Sequence, residues 1–177
     1  MTLPYQRLYK ALHYQFKDEK LLKLALTHRS VSGNHNNERL EFLGDSILGM
    51  LVAEYLYQHF PQEKEGRLTR LRATLVKQDS LAEIARHLQL GDYLLLGAGE
   101  LKSGGFRRDS ILADTVEAIL GAIFLDSGQI SQCRDCLIAW YDQRLQALTS
   151  ETFLKDPKSR LQEYLQAQRL ALPTYNV

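Results

Sequence analysis

The stretch Asn37-Glu38-Arg39-Leu40-Glu41-Phe42-Leu43-Gly44-Asp45-Ser46 decides how this chain folds. Its three acids, Glu38, Glu41 and Asp45, are spaced i, i+3 and i+7, so in a helix they share one face. A neighbouring face carries apolar residues at the spacing of a core-facing stripe, namely Leu40, Leu43, Ile47 and Leu51. The pattern predicts a packed helix with crowded carboxylates beside the core.

A second pair of acidic residues occurs later in the chain. Asp114 and Glu117 are i, i+3 neighbours in Ile111-Leu112-Ala113-Asp114-Thr115-Val116-Glu117-Ala118. Small residues in and near both stretches would let two helix backbones approach closely. These small residues are Gly44, Gly49, Ala113, Ala118, Gly121 and Ala122. Carboxylates that meet at such a junction suit Mg²⁺ or Mn²⁺ better than zinc, which usually recruits His or Cys. The sequence therefore predicts a metal held between two helices.

The two acidic stretches also carry a family resemblance. Residues 38–46 resemble the signature of ribonuclease III, and residues 112–118 are similar to the second acidic motif of that family. The resemblance extends over nearly the whole chain and includes Leu26-Thr27-His28-Arg29-Ser30. It implies an all-α, Mg²⁺-dependent endonuclease domain for double-stranded RNA, in which Mn²⁺ can substitute. It further implies products with 5′ phosphates, 3′ hydroxyls and short 3′ overhangs, made from ribosomal RNA precursors and structured messenger RNAs.

The resemblance assigns roles to individual acids. The metal ligands it implies are Glu41, Asp45, Asp114 and Glu117. Asp45 and Glu117 are also expected to be catalytic, together with Glu38 and Glu65, which match positions that the family keeps acidic. Because a metal held by these carboxylates can lower the pKa of a bound water, no side-chain nucleophile is required.

Cutting both strands of a duplex favours a symmetric pair of active sites, since one site cuts one strand. A homodimer is therefore expected. The resemblance implies that it forms through the signature helix, with Phe42 projecting into the partner subunit. The alternative for Phe42 is an ordinary aromatic residue of the core.

Basic residues near the acids are candidates for binding RNA. The Gly-rich segment 97–109 predicts a flexible loop whose Lys102, Arg107 and Arg108 contact phosphates beside the second acidic pair. It is not a P-loop, because the Gly-Lys-Ser/Thr order is missing. A predicted helix at 62–78 carries Arg67, Arg70, Arg72 and Lys77, for which phosphate contact and a solvated basic face are equally good explanations.

The rest of the chain predicts a simple organisation. All periodicity before residue 150 is helical, which indicates an all-α catalytic domain at 1–149 and then a polar linker at 150–156. Residues 157–177 resemble the start of a double-stranded RNA-binding domain, an α+β fold that is incomplete here, in which Gln162 and Glu163 are expected to contact RNA.

Amino-acid composition and apolar segments indicate which partners and which cellular location to expect for the chain. Lys and Arg number 22 against 21 Asp and Glu, so overall charge gives no indication of a nucleic-acid partner. No signal sequence or long apolar run is visible, which predicts a cytoplasmic protein without a membrane partner.

Other functions fit the motifs less well. A di-iron or di-manganese redox bundle would use Glu-x-x-His pairs, and neither acidic motif has that histidine. A module that binds duplex RNA without cutting it would be expected to have replaced the acids, since they repel phosphate. Cys133 and Cys136 form a lone C-x-x-C without further zinc ligands, and we expect two reduced thiols on a helix. His28 is interpreted as a hydrogen-bonded packing residue rather than a ligand or base.

Overall fold

The structure is a computed structural model that describes the backbone of residues 5–153 and of residue 166, and the side chains of these residues except 149–153. The helices of this part are α1 Tyr5–Leu12, α2 Glu19–Ala25, α3 Glu38–His59, α4 Glu65–Val76, α5 Gln78–His87, α6 Ala98–Lys102, α7 Asp109–Ser127 and α8 Ile130–Phe153. Two 3₁₀ turns lie at Leu90–Asp92 and Gly105–Arg107. Over the described residues the only β pairing is an isolated parallel bridge between Thr27 and Leu95. The all-α prediction for the catalytic domain is confirmed.

The chain divides into two compact units, residues 1–140 and 141–177. The first unit contains α1 to α7 and the beginning of α8. The described residues of the second unit, 141–153 and 166, are helical. Because α8 continues to Phe153, residues 150–153 of the predicted linker are helical too. The predicted RNA-binding segment 157–177, with Gln162 and Glu163, lies outside the described residues except for position 166. None of the helices described is both long and apolar enough to cross a bilayer.

Helices α3 and α7 form the centre of the first unit. α7 is apolar on almost every side and buries eleven of its nineteen residues, from Ile111 to Ile123. The predicted stripe of α3 is confirmed at Leu40, Ile47 and Leu51, which are buried, whereas Leu43 is half-buried. Each fully buried aliphatic side chain contributes about 1.5–3 kcal/mol. The core that fixes α3 against α7 therefore lies directly beneath the acidic residues.

Glycine allows these two helices to touch through their backbones. A Cβ added at Gly44 would lie 1.7 Å from the carbonyl oxygen of Glu117, and one added at Gly121 would lie 2.4 Å from the carbonyl oxygen of Leu40. No side chain fits at either position without moving a helix. The close approach inferred from the small residues is thus confirmed at Gly44 and Gly121, and it brings both acidic motifs to one junction.

The segment predicted as a flexible loop at 97–109 is largely helical, since it contains α6 and the second 3₁₀ turn. Cys133 and Cys136 lie on α8 as buried free thiols, as expected. Burial raises the pKa of Cys133 to about 11 and that of Cys136 to about 12, which keeps both thiols protonated and unreactive at neutral pH.

The contact at Gly44 generates a stability prediction. Gly44→Ala should lower the free energy of unfolding by about 2 kcal/mol or more, because the added methyl group overlaps the backbone of α7. Gly66→Ala on α4 is the matched control, since its Cβ would meet only the end of the Arg70 side chain at 3.6 Å. That control should be neutral or slightly stabilising. Urea unfolding followed by circular dichroism measures both, and equal stabilities for the two variants would contradict the packing described here.

Candidate metal centre

Three carboxylates from the two central helices come together at the junction. Glu41 lies on α3, and Asp114 and Glu117 lie on the facing side of α7. One oxygen from each of the three lies within 4.8 Å of the others, and all three side chains are half-buried. The sequence predicted this meeting from spacing and from small neighbours, and the structure places these three predicted ligands together.

Crowding makes the ionised form of these acids costly. Burial raises the pKa of Glu117 to about 8, helped by the charges of Asp45, Asp114 and Glu41 and by a side-chain hydrogen bond with Asp45. Burial also raises the pKa of Glu41, with the charge of Asp114 next in effect. The pKa of Asp114 is likewise raised by burial, although His28 and Arg29 oppose this shift. Among the described residues, His28 and Arg29 do not offset the effects of burial and of the neighbouring negative charges.

A divalent cation fits this arrangement. Two ligand oxygens on opposite sides of Mg²⁺, each at about 2.1 Å, are about 4.2 Å apart. The three carboxylates are therefore close to a ligating geometry as they stand. All the donors are hard oxygens, and among the described residues the cluster contains no His or Cys, which suits Mg²⁺ or Mn²⁺.

The other predicted acids take different positions. Asp45 is exposed and lies beside the cluster, where it shares a hydrogen bond with Glu117 rather than supplying one of the three grouped oxygens. Glu38 is exposed at the edge and forms an ion pair with Arg29 at 3.6 Å. Glu65 begins α4, where its Oε1 accepts a hydrogen bond from the hydroxyl of Thr69 at 2.7 Å. The structure does not bring Glu65 into the cluster within this single chain.

A cavity of about 780 Å³ opens next to the cluster. It is lined by Glu41 and Asp114 and also by polar residues that the sequence reasoning gave no role at the site: His28, Arg29, Ser30, Asn37, Glu100 and Ser110. In the sequence, the stretch Leu26-Thr27-His28-Arg29-Ser30 contributes only to the family resemblance. Nothing in its spacing shows that it would face the acids, because the two segments meet only in the folded chain.

Comparisons with known proteins identify the family. A family model described as ribonuclease-III-like matches residues 18–143. The chain belongs to the ribonuclease III family. Over its full length it is 61% identical to Ribonuclease 3 of Aliivibrio fischeri and covers 78% of that protein. It is 60% identical to Ribonuclease 3 of Acinetobacter pittii over 171 residues, which are 97% of this chain and 74% of that one.

Solved structures agree with this assignment. The nuclease domain of ribonuclease III from Campylobacter jejuni, described for flexibility in a region involved in dimer formation, is similar with a TM-score of 0.76 and 44% identity over 78% of this chain and 96% of that one. Dicer from Pichia stipitis is similar with a TM-score of 0.64 and 30% identity, over 80% of this chain and 62% of that chain. This member of the ribonuclease III family is an endoribonuclease, so the redox bundle and the non-cutting module are set aside.

The predicted RNA-binding residues lie around the segment that leads into α7. Lys102 is exposed at the end of α6, and the guanidinium of Arg107 lies 5.0 Å from the centre of the Phe106 ring. Arg108 lines the cavity and forms an ion pair with Glu100 at 2.9 Å. Arg70 and Arg72 on α4 are exposed, as is Lys77 directly after this helix, which leaves both explanations for these charges open.

Phe42 is not a core aromatic of this chain, because 79% of it is exposed. Other apolar residues of α3 share its exposure, with Met50 at 50% and Tyr57 at 76%. Their spacing from Phe42 places them along one stripe of the helix. An exposed apolar stripe of this kind is typical of an interface.

The raised pKa values predict how pH affects the metal-free protein. An acid whose pKa rises on folding favours the folded state below its unfolded pKa, about 4.5 for Glu117, and this contribution is lost as pH rises towards about 8. In EDTA the melting temperature should therefore fall between pH 5.5 and pH 8.5. Glu117→Gln should reduce this decrease in melting temperature, and the variant should have a higher melting temperature than wild type at pH 8.5.

Thermal unfolding by circular dichroism at several pH values measures this dependence. Asp135→Asn, at an exposed position on α8 outside the cluster, is the matched control and should follow the wild-type profile. A Glu117→Gln variant with the same profile as Asp135→Asn would show that the crowded acids do not govern the pH dependence.

Proposed function

We propose that this chain is a Mg²⁺-dependent endoribonuclease that hydrolyses phosphodiester bonds on both strands of double-stranded RNA. The observation that carries the proposal is the meeting of Glu41, Asp114 and Glu117 within 4.8 Å at the junction of α3 and α7. Together with Asp45, these three are the residues we assign to the metal, and Mn²⁺ is expected to substitute for Mg²⁺.

Hydrolysis of a phosphodiester needs a nucleophilic water, stabilisation of negative charge at phosphorus and protonation of the leaving oxygen. When bound, Mg²⁺ supplies a lowered pKa for water and polarisation of the phosphoryl oxygens. Glu41, Asp114 and Glu117 provide grouped oxygens that would hold the ion, and Asp45, which lies beside Glu117, would supply a further oxygen. Breaking the bond between phosphorus and the 3′ oxygen leaves a 5′ phosphate and a 3′ hydroxyl.

Two further acids have supporting roles in this proposal. Glu38 lies at the rim of the cavity, where its ion pair keeps Arg29 close to the cluster. Glu65 lies on α4 and outside the cluster of its own chain. We assign both to catalysis because they match acidic positions of the family.

RNA binding is assigned to local positive charge, since the net charge of the chain is only +1. Lys102 and Arg107 are exposed beside α7, and Arg108 borders the cavity, so all three can reach phosphates of a backbone that approaches the acids. Gln162 and Glu163 are proposed as additional contacts. Ribosomal RNA precursors and structured messenger RNAs in the cytoplasm are the proposed substrates.

We propose a homodimer as the active form. A symmetric pair of sites can cut both strands and leave short 3′ overhangs. The exposed stripe of Phe42, Met50 and Tyr57 on α3 supports an interface on this helix, because burying it in a second copy would remove a large apolar surface from water.

The metal assignment predicts a loss of cleavage without a loss of fold. Glu117→Gln should lower the cleavage rate of long duplex RNA in Mg²⁺ by about 1,000-fold or more, because one ligand and its charge are removed. Rates from denaturing gels and folding from circular dichroism are measured on the same samples. Asp135→Asn should cleave like wild type. A folded Glu117→Gln variant that cleaves at a tenth of the wild-type rate or faster would remove Glu117 from the metal site.

The dimer assignment predicts a change in mass. Phe42→Ala should shift the chain from dimer towards monomer, because it removes the most exposed large apolar side chain of the stripe. Sedimentation equilibrium measures the dissociation constant, which we expect to rise by about 10-fold or more. Leu125→Ala is a control at an exposed apolar residue of α7, 52% accessible, and should leave the mass unchanged. If Phe42→Ala is as dimeric as wild type, Phe42 is not an anchor of the interface.

A further inference from the structure

Hydrogen bonds from neighbouring residues hold the imidazole of His28 in one tautomer. The backbone N–H of Ser30 donates to Nδ1 of His28 at 3.2 Å, and the Ser30 hydroxyl lies 2.7 Å from the same nitrogen. The hydroxyl itself accepts a hydrogen bond from the N–H of Gly97 at 2.8 Å. Because a backbone N–H can only donate, Nδ1 must act as an acceptor and carries no proton. The neutral ring therefore has its proton on Nε2.

Backbone contacts hold the segment that carries this ring on two sides. The N–H of His28 donates to the carbonyl oxygen of Leu95 at 3.0 Å, next to the parallel bridge between Thr27 and Leu95. A Cβ at Gly97 would lie 2.4 Å from the carbonyl oxygen of Ser30, so these two segments also touch through their backbones. The orientation of His28 is thus set by two chain segments at once.

This ring lines the cavity beside the acid cluster, together with Glu41 and Asp114. Among the described residues, no hydrogen bond joins the ring to either acid. Among the side chains that the structure describes, the hydrogen bonds of the ring involve Nδ1, and none involves Nε2. A packing role for His28 accounts for the hydrogen bonds of Nδ1 only. Nε2 lies on a ring that lines the cavity beside the acid cluster, where its N–H is available to an incoming acceptor.

We propose that His28 donates its Nε2–H to a backbone oxygen of the RNA strand being cut. The acceptor is a non-bridging phosphate oxygen or a ribose 2′-oxygen, which share the chemistry of an exposed hydrogen-bond acceptor next to the scissile bond. Arg29 and Arg108 also line this cavity, so a phosphate-bearing strand meets positive charge as well as the acids. Ser30 is a positioning residue that acts through His28. The inference rests on the proposed function, because it assigns a substrate contact at that site.

Metal ligation by His28 is the competing assignment, and the geometry disfavours it. An imidazole nitrogen must be unprotonated to bind a metal, and here the nitrogen left for the cavity carries the proton. His28 is also absent from the group of residues whose ligand atoms lie close enough to share an ion.

Nuclear magnetic resonance of the metal-free protein tests the protonation pattern without any cleavage. The chain has five histidines, and comparison with His28→Gln assigns the signals of His28. At pH 8 we expect the ¹⁵N shifts and couplings of a ring protonated at Nε2 only. Ser30→Ala should weaken this preference and bring both nitrogens towards averaged shifts. A His28 ring protonated at Nδ1 in the wild type would overturn the inference.

Single-turnover cleavage of a defined duplex RNA in Mg²⁺ tests the contact itself. His28→Ala should lower the rate by about 10- to 100-fold, the effect of losing one hydrogen bond to a charged or strongly polar oxygen. His28→Gln keeps an N–H near the position of Nε2 and should restore part of the rate. His87→Ala, at an exposed histidine ending α5, should cleave like wild type. Circular dichroism confirms that each variant is folded.

Modified duplexes identify the acceptor. Single 2′-deoxy or phosphorothioate substitutions are placed on either side of the scissile phosphate, which itself stays unmodified. One of them should slow wild type and have no further effect on His28→Ala, and its type distinguishes a ribose from a phosphate contact. A His28→Ala variant as fast as wild type, or modifications that slow both proteins equally, would overturn the proposal. A wild type that does not cut would instead contradict the proposed function, while the resonance experiment still tests the ring.

Discussion

The backbone contact between α3 and α7 is the constraint on which the rest of the structure depends. Gly44 and Gly121 leave no room for a side chain, and the helices therefore approach until a Cβ at Gly44 would lie 1.7 Å from the carbonyl oxygen of Glu117. At that separation carboxylates from two helices must share one small volume. Their burial and their mutual repulsion are the cost of the arrangement, and both raise the pKa of Glu117, to about 8. A cation that removes this cost would stabilise the fold and supply the chemistry at the same place.

Much of this architecture could be predicted from the sequence. The spacing of Glu38, Glu41 and Asp45 against the leucines placed the acids next to the core, and the glycines and alanines indicated the close approach of a second acidic helix. Helical periodicity is a local property, so it can be recognised in each segment separately. The pairing of Glu41 with Asp114 and Glu117 was predictable because both stretches combine clustered acids with small residues that allow a close approach of two helices.

The remaining features depend on contacts between segments that are distant in the sequence. The cavity wall formed by His28, Arg29 and Ser30 arises because Leu95 and Gly97 hold that segment beside α7, and no spacing rule reveals such a contact. Periodicity also could not distinguish the three grouped carboxylates from Asp45, which lies next to them and bonds to Glu117. Nor could it show that Phe42 faces outward, because an aromatic residue within an apolar helix fits a core equally well.

The central claim is that Glu41, Asp114 and Glu117 form one divalent metal site. Anomalous diffraction from crystals soaked in Mn²⁺ tests it most directly. We predict a peak at the junction of α3 and α7, with carboxylate oxygens of all three residues at about 2.1–2.2 Å, and loss of that peak in crystals of Glu117→Gln. A wild-type crystal that shows no peak there, or a peak that persists unchanged without the Glu117 carboxylate, would contradict the account.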